Sequence, residues 1–239
     1  MRLSLATALL LLPACTGTQS AVPQTYQPCE EAFRIRSVEV DIDDASLELD
    51  RAARAREIQL PRALRGKLLE FLVAADFIDE ASGGDSLALA VNSFRLPASA
   101  RWITAQAKGN DYLGVQLSVE RGGDRRYETD ATAQIGAGER SIGANYSANW
   151  ALESLIDMLS FEIAWNLARV SGRGEQAVLE KGKQESVIKA IRILKRRGEL
   201  SQAEIMKYSA IGKVGFAQAD EGAPCVPPEV WRRSQGQRP

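Results

Sequence analysis

The chain has 239 residues, with 30 Lys and Arg, 31 Asp and Glu, and a formal net charge of −1 at pH 7. This balance lacks the strong positive charge that is typical of nucleic-acid-binding domains, so we expect no nucleic-acid partner. The chain contains no histidine, which excludes Ser-His-Asp and Cys-His catalysis and the usual zinc and iron ligand sets. We therefore predict a protein that is not an enzyme and has no metal site and no cofactor.

The charge is unevenly distributed along the chain. Residues 30–60 hold nine acids and five bases, whereas residues 169–213 hold eleven bases and five acids. The basic segment indicates either a solvated helix surface or contact with an anionic component such as a lipid or a phosphorylated glycan.

A base, a short apolar run and a cysteine follow one another at the N-terminus. Arg2 precedes the run Leu3–Leu12, and two residues separate this run from Cys15. About 20 apolar residues are needed to cross a bilayer, so the run is too short for a transmembrane helix. The pattern predicts a signal peptide over residues 1–14; an ordinary secretory signal and a buried apolar helix are the alternatives.

This arrangement resembles the signal and lipobox of bacterial lipoproteins. The resemblance implies that Cys15 is the first residue of the mature chain and carries a lipid that anchors it to a membrane. Inner-membrane lipoproteins usually have Asp after this cysteine, and here the residue is Thr16. The resemblance therefore implies the outer membrane, with the protein facing the periplasm. Residues 15–28 contain Gln, Ser, Thr and two prolines and are predicted to be a tether.

Two further cysteines, Cys29 and Cys225, complete the cysteine content of the chain. Disulfides persist in an oxidising compartment such as the periplasm. We expect these two residues to form an intramolecular disulfide that joins the start of the folded part to its C-terminal tail. Two free thiols, or pairing with other chains, remain the alternatives, because the sequence does not show how closely the two Cα atoms approach.

Alternating and three-to-four-residue patterns predict an α+β domain over residues 29–171. Strands are expected at 38–42, at 87–96 with a bend near Asn92, and in a hairpin whose turn is Arg121-Gly-Gly-Asp124. Helices are expected at 62–79 and 149–169, and the stretch between 43 and 61 is expected to be irregular or partly helical. Each strand has one polar face, so we predict an antiparallel sheet of about four strands that helices cover on one face.

The residues after this domain predict a helical hairpin over 172–213 and an extended tail over 214–239. Gly198 is expected to end one helix, and Ser201 and Glu204 form a capping box for the next. Trp150 and Phe161 point away from the apolar stripe of the 149–169 helix, so we expect a second surface, either the C-terminal helices or a partner, to cover them. We expect the hairpin to be a separate docking module; the alternative is that it provides this cover as a structural layer.

Carboxylates are the remaining candidates for chemistry. Asp41, Asp43 and Asp44 cluster at a strand end, where a glycosidase could hold an acid-base pair, although such clusters are more often solvated turn residues. Glu162 lies within the apolar arc of a helix, where burial would raise its pKa unless a base pairs with it. We expect a structural ion pair with Arg95 or Arg101.

A helix of the type Leu64-x3-Leu68-x2-Phe71-Leu72, a following strand over 87–94 and a hairpin with a Gly-Asp turn resemble proteobacterial envelope lipoproteins with a small α+β domain. This group includes lipoproteins of unknown function, auxiliary lipoproteins of envelope transport systems and, more distantly, penicillin-binding-protein activators and the curli-secretion lipoprotein. The resemblance implies a binding or assembly role with another envelope protein, peptidoglycan or lipopolysaccharide. The alternative is a carrier or sensor of a small lipid or glycan, with a pocket lined by Leu113, Val115, Trp150 and Phe161.

Overall fold

The structure is a computed structural model that describes residues 29, 33–79, 83–96, 111–135, 148–210 and 225. The signal peptide, Cys15, the tether, Arg101 and the C-terminal tail apart from Cys225 lie outside the described residues. The elements in chain order are β1 (Ile35–Ile42), α1 (Leu49–Glu57), α2 (Leu60–Ala74), β2 (Asp85–Arg95), β3 (Asp111–Arg121), β4 (Asp124–Ile135), α3 (Ala148–Ser171), α4 (Glu175–Gln184), α5 (Ile188–Arg197) and α6 (Gln202–Ala210).

The four strands form one sheet in the order β1-β2-β3-β4, which confirms the predicted α+β class. β2, β3 and β4 are antiparallel to one another, but β1 is parallel to β2. The antiparallel prediction is wrong for β1 because α1 and α2 carry the chain back to the end at which β1 began. The predicted bend in β2 is confirmed, since the register with β3 shifts between Val91 and Ser93.

The hairpin of β3 and β4 turns where the sequence predicts. Gly122 and Gly123 have φ angles of +61° and +92°, and a two-residue turn that follows the strand twist needs positive φ at both central residues. Arg121 and Asp124 pair across this turn.

One face of the sheet is covered by α2 and α3. Buried residues of α3 pack on β3 and β4, and those of α2 pack beside them on β1 (Leu155, Leu159, Ile163 and Leu167; Leu64, Leu68, Phe71 and Leu72). α2 ends at Ala74, earlier than the predicted residue 79, because Asp76 takes a left-handed conformation with φ of +57°. The chain then runs beside β1, where the Ile35 amide donates to the Phe77 carbonyl at 2.7 Å.

The helices α4 and α5 form a second layer over α2 and α3. Their buried residues belong to the same core as Phe161, which is fully buried (Val178, Leu179, Val187, Ala190, Ile191, Ile193 and Leu194). A Cβ added to Gly182 of α4 would lie 2.7 Å both from the Phe161 ring and from Ala190 of α5. These contacts favour the structural layer over the separate docking module.

The predicted helical hairpin is present as α5 and α6, and α4 is a third helix that precedes it. Gly198 ends α5 with φ of +73°. The capping box is confirmed: the Ser201 amide donates to the Glu204 carboxylate at 2.8 Å, and the Glu204 amide donates to the Ser201 hydroxyl at 3.3 Å. The Ser201 amide and hydroxyl both donate to the Glu204 carboxylate, and together with Lys183 they lower the pKa of Glu204 to about 2. Among the described helices, none combines the length and apolarity that crossing a bilayer requires.

A disulfide joins Cys29 and Cys225, whose Cα atoms are 4.8 Å apart. It rests on the C-terminal end of α3, where the Cys225 sulfur lies 3.3 Å from the Val170 carbonyl. A Cβ at Gly172 would lie only 2.9 Å from the Cys29 sulfur. The two cysteines therefore fix the start and the end of the folded chain at the same end of α3.

Candidate functional site

The face of the sheet opposite α2 and α3 carries exposed side chains on each of the four described strands. Its central strands present small and polar side chains, and Ala88 at its centre is exposed. Gly114 of β3 keeps this face flat, because a Cβ there would lie 2.3 Å from the Ser93 hydroxyl and 3.2 Å from that of Thr132. We call this surface the open face and define it by the outward residues of the four strands: Glu39, Asp41, Ser86, Ala88, Ala90, Ser93, Gly114, Gln116, Ser118, Glu128, Asp130 and Thr132.

Carboxylates line both edges of the open face. One cross-strand row runs Glu39, Ala88, Ser118, Glu128, and the next runs Asp41, Ala90, Gln116, Asp130. Strands are spaced by about 4.8 Å, so the acids of β1 and β4 stand about 14 Å apart with a floor of small side chains between them.

Most of these carboxylates remain available to a partner. Glu128 is already bonded to Arg125 at 2.8 Å and to the Gln116 amide at 3.2 Å. The side-chain carboxylates of Glu39, Asp41 and Asp130 make no hydrogen bond or ion pair with the described part of the chain. A flat floor with acidic edges suits contact with a protein surface that carries basic side chains, because complementary charge guides such association.

The fully buried carboxylate Asp85 is structural. Arg121 donates to it at 2.8 and 3.1 Å, and the Arg34 amide donates at 2.9 Å. Burial raises the pKa of Asp85, but the Arg121 and Arg34 hydrogen bonds outweigh burial and hold it below its usual range. A buried carboxylate whose two oxygens accept hydrogen bonds ties the start of β2 to the strands beside it.

A cluster of five charged side chains lies between α2, α3 and α4. Lys67 is 3.1 Å from Glu70, 3.7 Å from Asp157 and 3.5 Å from Glu185, and Lys181 bridges Glu70 and Glu185 at 2.9 and 2.6 Å. Burial raises the pKa of Asp157 to about 6; Lys67 opposes this shift and Glu185 adds to it. We call this group the interhelical cluster.

The structure separates the three aspartates that the sequence grouped. Asp43 accepts from the Ala45 amide at 3.0 Å and the Ser46 hydroxyl at 2.5 Å, which lowers its pKa. Asp44 pairs with Arg56 of α1, and Asp41 lies on the open face. Two of the three are therefore turn and helix contacts.

Glu162 forms the expected ion pair, but with a different base. Lys189 of α5 donates to it at 2.7 and 2.9 Å. Arg95 is exposed at the end of β2. The prediction is therefore wrong for Arg95, because Lys189 of the helical tail pairs with Glu162, whereas Arg101 lies outside the described residues.

The residues proposed to line a small-ligand pocket are mostly core residues. Leu113, Val115 and Phe161 are at most 1% exposed, whereas Trp150 is 40% exposed. Phe161 stacks on Trp165 at 6.0 Å and meets Phe71 edge-on at 6.3 Å. Core packing therefore occupies these side chains. In the described ranges, no group of three or more Cys, Asp or Glu side chains is arranged to hold a metal ion.

Sequence reasoning identified Glu162 but missed Asp157 and the open face as a site. A signal for Asp157 exists, because it lies one helical turn before Phe161, on the side of α3 that requires a second cover. The signal for the open face is the small size of the outward residues of β2 and β3, because a covering helix would find no large side chains to pack against.

No protein-family model matches the chain, and no curated protein matches its sequence. Solved structures to which it is similar include a PelC dodecamer from Paraburkholderia phytofirmans, with 14% identity over 55% of this chain and 87% of that one, at a TM-score of 0.33. An uncharacterised protein shares 13% identity over 60% and 95% of the two chains, at 0.37. A minor lipoprotein from Acinetobacter baumannii shares 11% over 55% and 94%, at 0.27. At these scores the likenesses carry no functional assignment.

Proposed function

We propose that this protein is a lipid-anchored component of the bacterial envelope that binds another envelope protein through the open face. Support for the anchor comes from the N-terminal pattern that ends at Cys15. Support for binding comes from one structural observation: a flat, exposed sheet face keeps Glu39, Asp41 and Asp130 without partners within the described chain. The protein acts as a non-enzymatic assembly factor at the periplasmic side of the outer membrane.

The anchor is tested by metabolic labelling with palmitate. The wild-type protein takes up label, and Cys15→Ser does not, because the thiol that accepts the lipid is gone. Equal labelling of both proteins would show that Cys15 carries no lipid.

The binding surface is tested by affinity purification from mildly solubilised envelopes. Ala88→Arg places a long charged side chain on the floor of the open face and is expected to remove the co-purifying partner. Ala53→Arg makes the same change at an exposed position of α1 and serves as the matched control. Retention of the partner by Ala88→Arg, or its equal loss from Ala53→Arg, would contradict the proposal.

A further inference from the structure

A run of three bases ends α5. Lys195, Arg196 and Arg197 are consecutive and exposed, whereas Ala190, Ile191, Ile193 and Leu194 before them in α5 are buried in the core. The helix therefore presents its last turn as a basic projection. We call Lys195, Arg196 and Arg197 the basic turn.

Contacts across three helices place the basic turn at the same end of the molecule as the disulfide. Arg197 is 3.3 Å from Glu175, the first residue of α4, and Glu175 is 3.2 Å from Arg169 in the last turn of α3. Arg169 and Arg197 both lie over the Trp165 ring, at 5.6 and 5.8 Å. Glu175 follows Gly172, on which the disulfide rests, by three residues, which is at most about 11 Å of chain.

Bases outnumber acids among the described residues at this end of the molecule. Five bases (Arg169, Arg173, Lys195, Arg196 and Arg197) stand against three acids (Asp76, Glu175 and Glu199). Residues 16–28 carry no charge, and the segments 30–31 and 220–239, which flank Cys29 and Cys225, hold five acids and three arginines. The basic turn supplies three of the five described bases and is therefore the main positively charged feature of this end.

Cys29 is also the point at which the chain from the proposed anchor enters the fold. Cys15 and Cys29 are 14 residues apart, which limits their separation to about 50 Å. An anchor that short holds the Cys29 end close to the bilayer, so even weak attraction to the surface becomes effectively intramolecular. Bases near an anionic bilayer are attracted within a Debye length of about 8 Å at physiological salt.

We propose that the basic turn docks on anionic phospholipid headgroups of the membrane that holds the anchor and so orients the domain. This inference rests on the proposed lipid anchor for its location, but the surface itself can be tested without lipid on the protein. Docking at the Cys29 end fixes the end of α3 toward the membrane. The phospholipid bilayer is the occupant because the chain from the proposed anchor arrives at this end and because the charges are complementary.

The test is sedimentation of the mature chain, residues 15–239 with Cys15→Ser, with vesicles of phosphatidylcholine alone or mixed with phosphatidylglycerol. We expect binding to the mixed vesicles at low salt, weak binding at high salt and none to phosphatidylcholine alone. Lys195→Gln combined with Arg196→Gln is expected to lower the affinity about fivefold or more. Circular dichroism confirms that each variant is folded.

The matched control is Arg54→Gln combined with Arg62→Gln. Both residues are exposed, and Arg62 lies near the start of α2, whereas the other end of α2 meets Gly174 beside the disulfide. This control removes the same charge about 18 Å from the basic turn's end of the molecule and should bind like the parent chain. Absence of binding to anionic vesicles, or equal loss from both double variants, would overturn the inference.

The two proposals fail separately. Vesicle binding without palmitate on Cys15 in cells would remove the anchor and leave the basic turn as a membrane contact. Palmitate on Cys15 without any dependence of vesicle binding on Lys195 and Arg196 would keep the anchor and refute the docking surface.

Discussion

The two faces of the sheet are built from alternate residues of the same strands, but they differ in side-chain size and in burial. One face holds Leu87, Leu117 and the other large apolar residues under two layers of helices, whereas the other is flat, small and exposed at Ala88. The helical face concentrates nearly all the burial that stabilises the fold, because stability follows the apolar area removed from water. Apart from Gly114, substitutions on the open face are therefore expected to cost little stability.

The largest expected effect comes from removing the second helical layer. A chain cut after Gly172 loses α4, α5 and Cys225, and Phe161 and Trp165 lose their cover. We expect the truncated protein to lose its cooperative thermal transition and to aggregate, because a large apolar patch becomes exposed. Circular dichroism and thermal melting of the lipid-free chain measure this.

If the truncated protein melts cooperatively at a temperature near that of the intact chain, the helical hairpin is a separate docking module, as the sequence predicts. Such a melt would also show that the covered side of the sheet needs only α2 and α3.

Alanine substitutions at two neighbouring residues of β3 compare how much each face contributes to stability. Leu117 is fully buried, and Gln116 is exposed on the open face. Leu117→Ala should lower the free energy of unfolding by about 2–5 kcal/mol, since it leaves a cavity in the core. Gln116→Ala should change it by less than about 0.5 kcal/mol. Denaturant titration of both variants gives the comparison, and a similar cost for the two would show that the open face is covered.

Much of the covered side could be predicted from the sequence, because its signals are local. The alternation of β3 and β4 around two glycines and the periodicity of α3 locate these elements closely. The parallel pairing of β1 with β2 could not be predicted, because the direction of β2 relative to β1 depends on where α1 and α2 place the start of β2. The partner of Glu162 could not be predicted either, since Lys189 arrives from a helix 27 residues later.

The interhelical cluster provides a pH-dependent test of the covered side. The pKa of Asp157 in the folded protein is about 6, above the ordinary 3.8. Folding therefore disfavours its charged form, so this group's destabilisation is absent below about pH 4, grows between about pH 4 and 6 and is complete above that. The shift corresponds to at most about 3 kcal/mol.

Asp157→Asn should accordingly raise the free energy of unfolding by about 1–3 kcal/mol at pH 7.5 and leave it nearly unchanged at pH 4. Denaturant titrations of both proteins across this range measure the difference. A variant that is less stable than wild type at pH 7.5 would show that attraction to Lys67 outweighs burial and repulsion from Glu185.

Two helical glycines give the smallest expected effects, with opposite signs. Gly182→Ala forces a methyl group against Phe161 and Ala190 and should lower stability by about 1–2 kcal/mol. Gly66→Ala in α2 meets no atom within 4 Å and should raise stability by about 0.5–1 kcal/mol through helix propensity. Thermal melting of the two variants checks the signs. A stabilising Gly182→Ala would mean that α4 packs more loosely on α3.

Photo-crosslinking in cells tests whether the open face is the binding surface. A photoreactive amino acid is placed singly at Ala88, Ser118 and Thr132 on the open face and, as the control, at Ala53 on α1. If the partner binds there, we expect one cross-linked product of the same mass from the three open-face positions and none from Ala53. The same product from Ala53, or no product from any open-face position while the palmitate label on Cys15 is intact, would contradict it.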